Sequence, residues 1–214
     1  MIVLHQIYCR TPALAVCLSM ALTACVPMVI GSTVMGTLVA TDRRTSGSQL
    51  EDEGIELRGI NRMADQLGDR AHVNITSYNR RVLLTGEVPS MADKQLVEQV
   101  MGRVENVLSV VNELTVMNKT TLMQRSSDTL LTGKVKAALV DAKDLYANAF
   151  KVITERGIIY LMGRVTSREA DRATEIARSI SGVKKVVRVF EIISDSELRS
   201  MLPQAAQAPA SATP

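Results

Sequence analysis

Two stretches of the chain repeat one pattern of apolar and polar positions. Val73-Asn-Ile-Thr-Ser-Tyr-Asn-Arg-Arg-Val-Leu-Leu-Thr-Gly-Glu-Val88 lies 77 positions before Phe150-Lys-Val-Ile-Thr-Glu-Arg-Gly-Ile-Ile-Tyr-Leu-Met-Gly-Arg-Val165. Ile75 falls on Val152, Leu84 on Leu161, Gly86 on Gly163 and Val88 on Val165. The alternation of Val73/Ile75 and Val82/Leu84 has the period of a half-buried strand, so each stretch predicts a hairpin. Asn79-Arg80 and Arg156-Gly157 supply the turns, where Asn and Gly accept positive φ.

The period then changes from two to that of a helix. Thr166 with Glu169 makes a capping-box pattern, and Ala170, Ala173, Ala177 and Ile180 give one apolar face. In the first copy Ser90 starts the helix, with Leu96, Val97, Val100 and Met101 as its face. A closing strand follows in each: Val107–Val116 answers Val183–Ile192. An opening helix precedes each hairpin. In the second copy Asp128 is the expected N-cap and Leu131, Val135, Ala138 and Leu139 the buried stripe. In the first, Ile55, Ile60 and Met63 do similar work, weakened by Gly54 and Gly59.

The expected fold class is therefore α+β: two tandem α-β-β-α-β modules, each a small three-stranded sheet packed by two helices. The first module is placed at 51–117, a polar linker at 118–127 and the second module at 128–195. The end, 196–214, is rich in Ala, Pro and Gln and is expected to be disordered. Gly86, Gly163 and Gly182 are candidate structural glycines, explained by backbone geometry.

The N-terminus changes the setting. Arg10 is followed by a charge-free run of small and apolar residues, the layout of a secretory signal. Its end, Leu22-Thr23-Ala24-Cys25, resembles the lipobox of bacterial lipoproteins. That resemblance implies a signal at 1–24, removed by cleavage, and acylation of Cys25, with a lipidated tether at 25–50. It further implies sorting to the outer membrane, because residue 26 is Val and not Asp. The competing reading is an uncleaved membrane helix, since residues 11–40 carry no charge. All three cysteines, Cys9, Cys17 and Cys25, lie in the first 25 residues, so the modules hold no disulfide and no thiolate metal site.

Composition narrows the chemistry. Aromatic residues make up 3 % and Trp is absent, which argues against base stacking on nucleic acid and against a sugar groove. Only His5 and His72 exist, and His72 is most simply a strand-edge residue. No phosphate loop, metal-spaced cluster or nucleophile–base pattern is present, so no catalytic residue, metal ligand, cofactor or small-molecule substrate is expected beyond lipid on Cys25. Charge separates the copies: residues 51–117 hold 7 Lys+Arg and 11 Asp+Glu, whereas 128–195 hold 12 and 9. A basic module can face an anionic surface.

The repeated Val-Leu-Leu-Thr-Gly-Glu-Val, Gly182-Val-Lys-Lys-Val-Val-Arg188 and Asp128-Thr-Leu-Leu-Thr-Gly-Lys-Val-Lys-Ala-Ala-Leu139 resemble the BON domain of bacterial envelope proteins. With Cys25 and Ala40-Thr-Asp-Arg-Arg44 ahead of two such domains, the chain is similar to the dual-BON outer-membrane lipoproteins associated with division and outer-membrane stress. The resemblance covers roughly residues 22–195. It implies a periplasmic protein that binds anionic phospholipid and supports outer-membrane integrity, with the lipid contact on the second opening helix. There Leu130 stands in place of an aromatic wedge. The Gly of the closing motif, Gly182, is Asn106 in the first copy.

Leu130, Lys134, Lys136 and Val140 are the candidate lipid-binding residues. Leu130 and Val140 fall outside the buried stripe and the lysines flank it. Apolar side chains beside lysines suit a lipid interface. Alternatively, Leu130 or Val140 packs on the other module. Lys184, Lys185 and Arg188 read as a solvated strand edge, with membrane contact as the alternative. The rival function is a protein-interaction adaptor that docks envelope proteins.

Overall fold

A computed structural model describes residues 42–201. The signal, Cys25 and most of the expected tether lie outside them. Two units of the same design follow one another. The first is α1 (Ser46–Leu67), β1 (His72–Tyr78), β2 (Arg81–Val88), α2 (Met91–Gly102), β3 (Ser109–Asn112) and β4 (Thr115–Val116). The second is α3 (Leu122–Asp141), β5 (Lys151–Glu155), β6 (Ile158–Val165), α4 (Ser167–Ser179) and β7 (Lys185–Ile192), with α5 (Asp195–Met201) after it. In each, the hairpin is antiparallel and the closing strand runs parallel to the hairpin's second strand, which is central. The first closing strand is split, so that sheet has four strands and not the expected three.

The hairpin turns fall where expected, with positive φ at Asn79 (49°), Arg80 (66°), Arg156 (55°) and Gly157 (79°). What holds them was not read from the sequence. Asp52 of α1 is 1 % exposed, and its carboxylate accepts from Asn79 N (2.7 Å), Arg80 N (2.7 Å) and Ser77 Oγ (2.6 Å). Asp128 of α3 accepts from Arg156 N and Gly157 N, both at 2.8 Å. Each opening helix thus clamps the turn of its own hairpin with one buried carboxylate.

Asp128 is therefore not an N-cap. Thr121 caps α3 by accepting from Gln124 N, and Thr45 caps α1 by accepting from Ser48 N. Both opening helices begin earlier than expected: α1 inside the segment read as tether, α3 inside the segment read as linker. Residues 196–201, expected to belong to a disordered tail, are part of the helix Asp195–Met201, and the rest of that expected tail, 202–214, lies outside the described residues. The capping box of α4, Thr166 with Glu169, is present.

Each sheet has one face under its helices and one face toward the other module. In the first, Ile55, Met63, Val82, Leu84, Val97 and Met101 share one core. In the second, Leu131, Val135, Leu139, Ile159, Leu161, Ala173 and Ala177 share another. Ile60, expected in the first core, is exposed, because Gly59 takes the inward position against Met101 and Ile75. A third cluster joins the sheets: Tyr78 and Leu83 of one, Tyr160, Met162 and Val189 of the other. Strand alternation places Leu83 on one face and Val82 and Leu84 on the opposite one.

Polar bonds close the junction. Asn79 Nδ2 donates to Glu191 (2.7 Å), Asn74 Nδ2 to Glu155 (2.9 Å) and Lys151 Nζ to Glu56 (2.9 Å). Arg43, ahead of α1, reaches the start of α4 and meets Glu169 through two bonds of 2.8 and 2.7 Å, with both side chains nearly solvent-free. Burial alone would raise the Glu169 carboxyl; Arg43 and the Thr166 N–H outweigh it and hold it below its ordinary value. Arg44 lies over the Tyr78 ring, 4.3 Å from its centre, and pairs with Asp52. Residues 43 and 44 are thus built into the junction, in a segment expected to be free tether.

Candidate functional site

Helix α3 packs an apolar stripe inward and presents a charge-free stripe outward. Its inner face buries Leu131, Val135 and Leu139 beside Asp128. Its outer face presents Met123, Ser126, Leu130, Gly133, Ala137 and Val140, all exposed and none charged. Their spacing alternates three and four residues, which keeps them on one side for the length of the helix. Leu130 is 70 % exposed and Val140 68 %, so neither packs on the other module. That disposes of the alternative for both residues.

Lys134 and Lys136 are exposed and have no hydrogen-bond or ion-pair partner among the described residues. At about 100° per residue, Lys134 stands roughly 40° to one side of Leu130 and Lys136 roughly 120° to the other. The four candidates therefore share one helix but border two concavities. Leu130 and Lys134 line one of about 290 Å³ with Gly157, Gly182 and Lys184. Lys136 and Val140 line another of about 560 Å³ with Arg44, Tyr78 and Phe150. Met123 was missed because α3 was expected to start at Asp128; the three-and-four spacing, followed backward from Leu130, reaches it.

The corresponding positions of α1 are Gly47, Leu50, Gly54, Leu57, Asn61 and Ala64, also without charge. The stripe alone therefore does not distinguish the modules, but its flank does. Arg58, at the position of Lys134, is engaged by Glu51 at 2.6 Å and donates to Glu105 O. No acid is paired with Lys134 or Lys136 among the described residues.

The candidate glycines have distinct reasons. A Cβ on Gly86 would sit 2.1 Å from the carbonyl oxygen of His72, and one on Gly163 would sit 2.3 Å from that of Ala149. Gly182 has φ 100°, and Asn106, its counterpart, has φ 66°, which Asn tolerates. On β7, Lys185 and Arg188 are exposed along an outer strand, as a solvated edge requires, and Arg188 pairs with Asp171 at 2.6 Å.

The sequence pattern of the BON domain matches residues 52–118 and 127–194. The chain belongs to the BON-domain family. The chain is 40 % identical over 174 residues to the "Outer membrane lipoprotein DolP" of Haemophilus influenzae, covering 80 % of this chain and 90 % of that one. It is 34 % identical over 154 residues to the "21 kDa hemolysin" of Actinobacillus pleuropneumoniae, covering 71 % and 79 %. Among the described residues of this BON protein, no helix is long and apolar enough to cross a membrane.

The fold also assembles a group that sequence spacing did not reveal. His72 and Glu87 face each other across β1 and β2, with His72 Nδ1 3.2 Å from Glu87 Oε2. Glu155 of the second BON domain joins them, so that one ligand atom from each lies within 4.8 Å of the others. No metal ligands were expected, because the three residues are far apart in the chain.

Proposed function

We propose that this chain is an outer-membrane lipoprotein, anchored through Cys25 at the periplasmic face, that presses the outer face of α3 onto anionic phospholipid and thereby supports envelope integrity. The observation that carries this reading is an exposed, charge-free stripe bordered by two unpaired lysines. Apolar side chains of such a helix enter the boundary between headgroups and acyl chains while ammonium groups meet phosphate. Each lysine contributes about 1 kcal/mol near an anionic leaflet, so the pair is weak alone. A covalent anchor raises the local concentration of membrane and makes a weak contact sufficient.

The position of Asp42 and Arg44 supports the same orientation. Asp42 and Arg44 line the concavity that Lys136 and Val140 also line. Cys25 lies 17 residues upstream of Asp42. That length spans at most about 60 Å, enough to let α3 meet the bilayer that holds the anchor. The name of the Haemophilus relative, an outer membrane lipoprotein, agrees with this placement.

Flotation with phosphatidylglycerol vesicles tests the reading. Residues 26–214 keep every described residue, including Arg43 and Arg44, and lack the anchor. They should float at low salt and sink at high salt, since exposed charges are screened. Leu130→Asp should weaken binding by about 10- to 100-fold, from the loss of about 1.5–3 kcal/mol of side-chain burial, with an unchanged melting temperature. Absence of flotation at low salt would sink the proposal. A protein-docking reading draws on Leu50 and Leu57 of α1, 71 % and 61 % exposed. It predicts binding to a protein partner that survives high salt and Leu130→Asp.

A further inference from the structure

One end of the module junction gathers two buried carboxylates, Glu87 and Glu155, with Arg125 and Arg156 nearby. Glu87 is fully buried. Its Oε2 accepts from Thr120 N at 3.1 Å and from Thr120 Oγ at 3.2 Å. Its Oε1 has no hydrogen-bond donor. The guanidinium of Arg156 stands 3.7 Å away on a side chain 35 % exposed, beyond hydrogen-bonding reach. A buried carboxylate oxygen without a donor is costly, and such atoms call for an explanation. Beside it lies Glu155, 7 % exposed.

The internal repeat shows what is unusual here. The position of Glu87 in the second module is Arg164, 77 residues on. Arg164 meets two carboxylates, Glu191 at 2.9 Å and Glu197 at 2.8 Å. At the Glu87 end the two carboxylates come instead with an imidazole. A concavity of about 220 Å³, lined by His72, Asn74, Thr132 and Glu155 among others, opens beside them. It reaches His72 and Glu155 and is also lined by Arg125 and Asp128.

We propose that His72, Glu87 and Glu155 bind a divalent cation of the zinc type, which ties the first module to the second. A ring nitrogen and two carboxylate oxygens are a zinc donor set, and water from the concavity completes a tetrahedral shell. The imidazole favours zinc over calcium or magnesium, which take oxygen ligands. Side-chain rotations bring donors now within 4.8 Å of one another onto a single ion. Glu87 Oε1 gains the partner it lacks, and Arg156 is free to turn outward. Because two ligands come from the first module and one from the second, the ion stabilises the junction.

Residues 26–214 contain no cysteine, and His72 is their one histidine, so a metal signal is assigned without ambiguity. Calorimetric titration with Zn²⁺ should show one ion per chain and a raised melting temperature. The imidazole nitrogens of His72 should shift in ¹⁵N-detected spectra on saturation. His72→Gln and Glu155→Gln are near in size to the native residues and should each weaken binding by roughly tenfold or more. Arg156→Asn, which suits positive φ, removes a competing cation and should tighten binding. No binding by the wild-type chain, or affinity unchanged in His72→Gln and Glu155→Gln, would overturn the proposal. Circular dichroism and melting of the metal-free variants show whether they are folded. A Co²⁺ titration of the wild-type chain tests the site without mutation: visible d–d bands of tetrahedral intensity are expected, and their absence at saturation would count against it.

Discussion

Gly86→Ala should be the most damaging single methyl group that can be added to this protein. The new Cβ would lie 2.1 Å from the carbonyl oxygen of His72, more than an ångström inside ordinary contact. The obstacle is backbone, held by the β1–β2 ladder, so no side chain can swing aside. The residue also sits at φ 109°, where an L side chain is strained. Overpacking and backbone strain together should cost about 3–5 kcal/mol, a large part of the stability of a small domain. Gly163→Ala meets the carbonyl oxygen of Ala149 at 2.3 Å but has no positive φ to add. It should cost less, about 2–3 kcal/mol. Thermal or urea unfolding of the two variants checks both the size of the effect and their order. Equal, small losses would mean that the hairpins absorb the methyl group by opening.

Asp52→Ala should be comparably severe for a different reason. One carboxylate there accepts from two turn N–H groups and the Ser77 hydroxyl, and pairs with Arg44 at 2.9 Å. Its loss strands two turn N–H groups and leaves the partly buried Arg44 with Asp42 alone. Removing one partner from such an arrangement costs about 3–5 kcal/mol, because the others remain without compensation. The Asn79-Arg80 turn, whose φ values are both positive, loses what holds it in that conformation. Denaturant unfolding should show the loss, and amide exchange at 79 and 80 should accelerate most. Asp52→Asn keeps one acceptor and should recover part of the stability.

The module design was legible because it is local and stated twice. Alternation gave the hairpins, and Asn79-Arg80 and Arg156-Gly157 gave their turns. The helix starts were misplaced although the repeat marks them: Thr45 and Thr121 stand 76 positions apart, each seven residues before its aspartate. Reading Asp128 as a cap obscured that correspondence and hid Met123. The clamp itself was not legible, because a carboxylate and the turn it holds lie 27 and 28 residues apart. Long-range pairing is set by packing, which no window of sequence records. The same holds for Arg43 with Glu169, and for His72, Glu87 and Glu155, which only the sheet-to-sheet junction brings together. The exposure of two outer residues of α3 was legible. Leu130 and Val140 were singled out as apolar positions that the core does not need, and both are exposed.

On the proposed function, the outer face of α3, and not that of α1, enters the membrane. Residues 26–214 have no cysteine, so one can be placed at will. Leu130→Cys and Leu57→Cys, each carrying a polarity-sensitive fluorophore, occupy exposed outer positions of α3 and α1. On adding phosphatidylglycerol vesicles, the probe at 130 should shift to the blue and become protected from an aqueous quencher, while the probe at 57 should not change. A probe at 130 that stays in water on vesicles known to bind the protein, or a shift at 57 instead, would overturn the proposed contact of α3 with lipid.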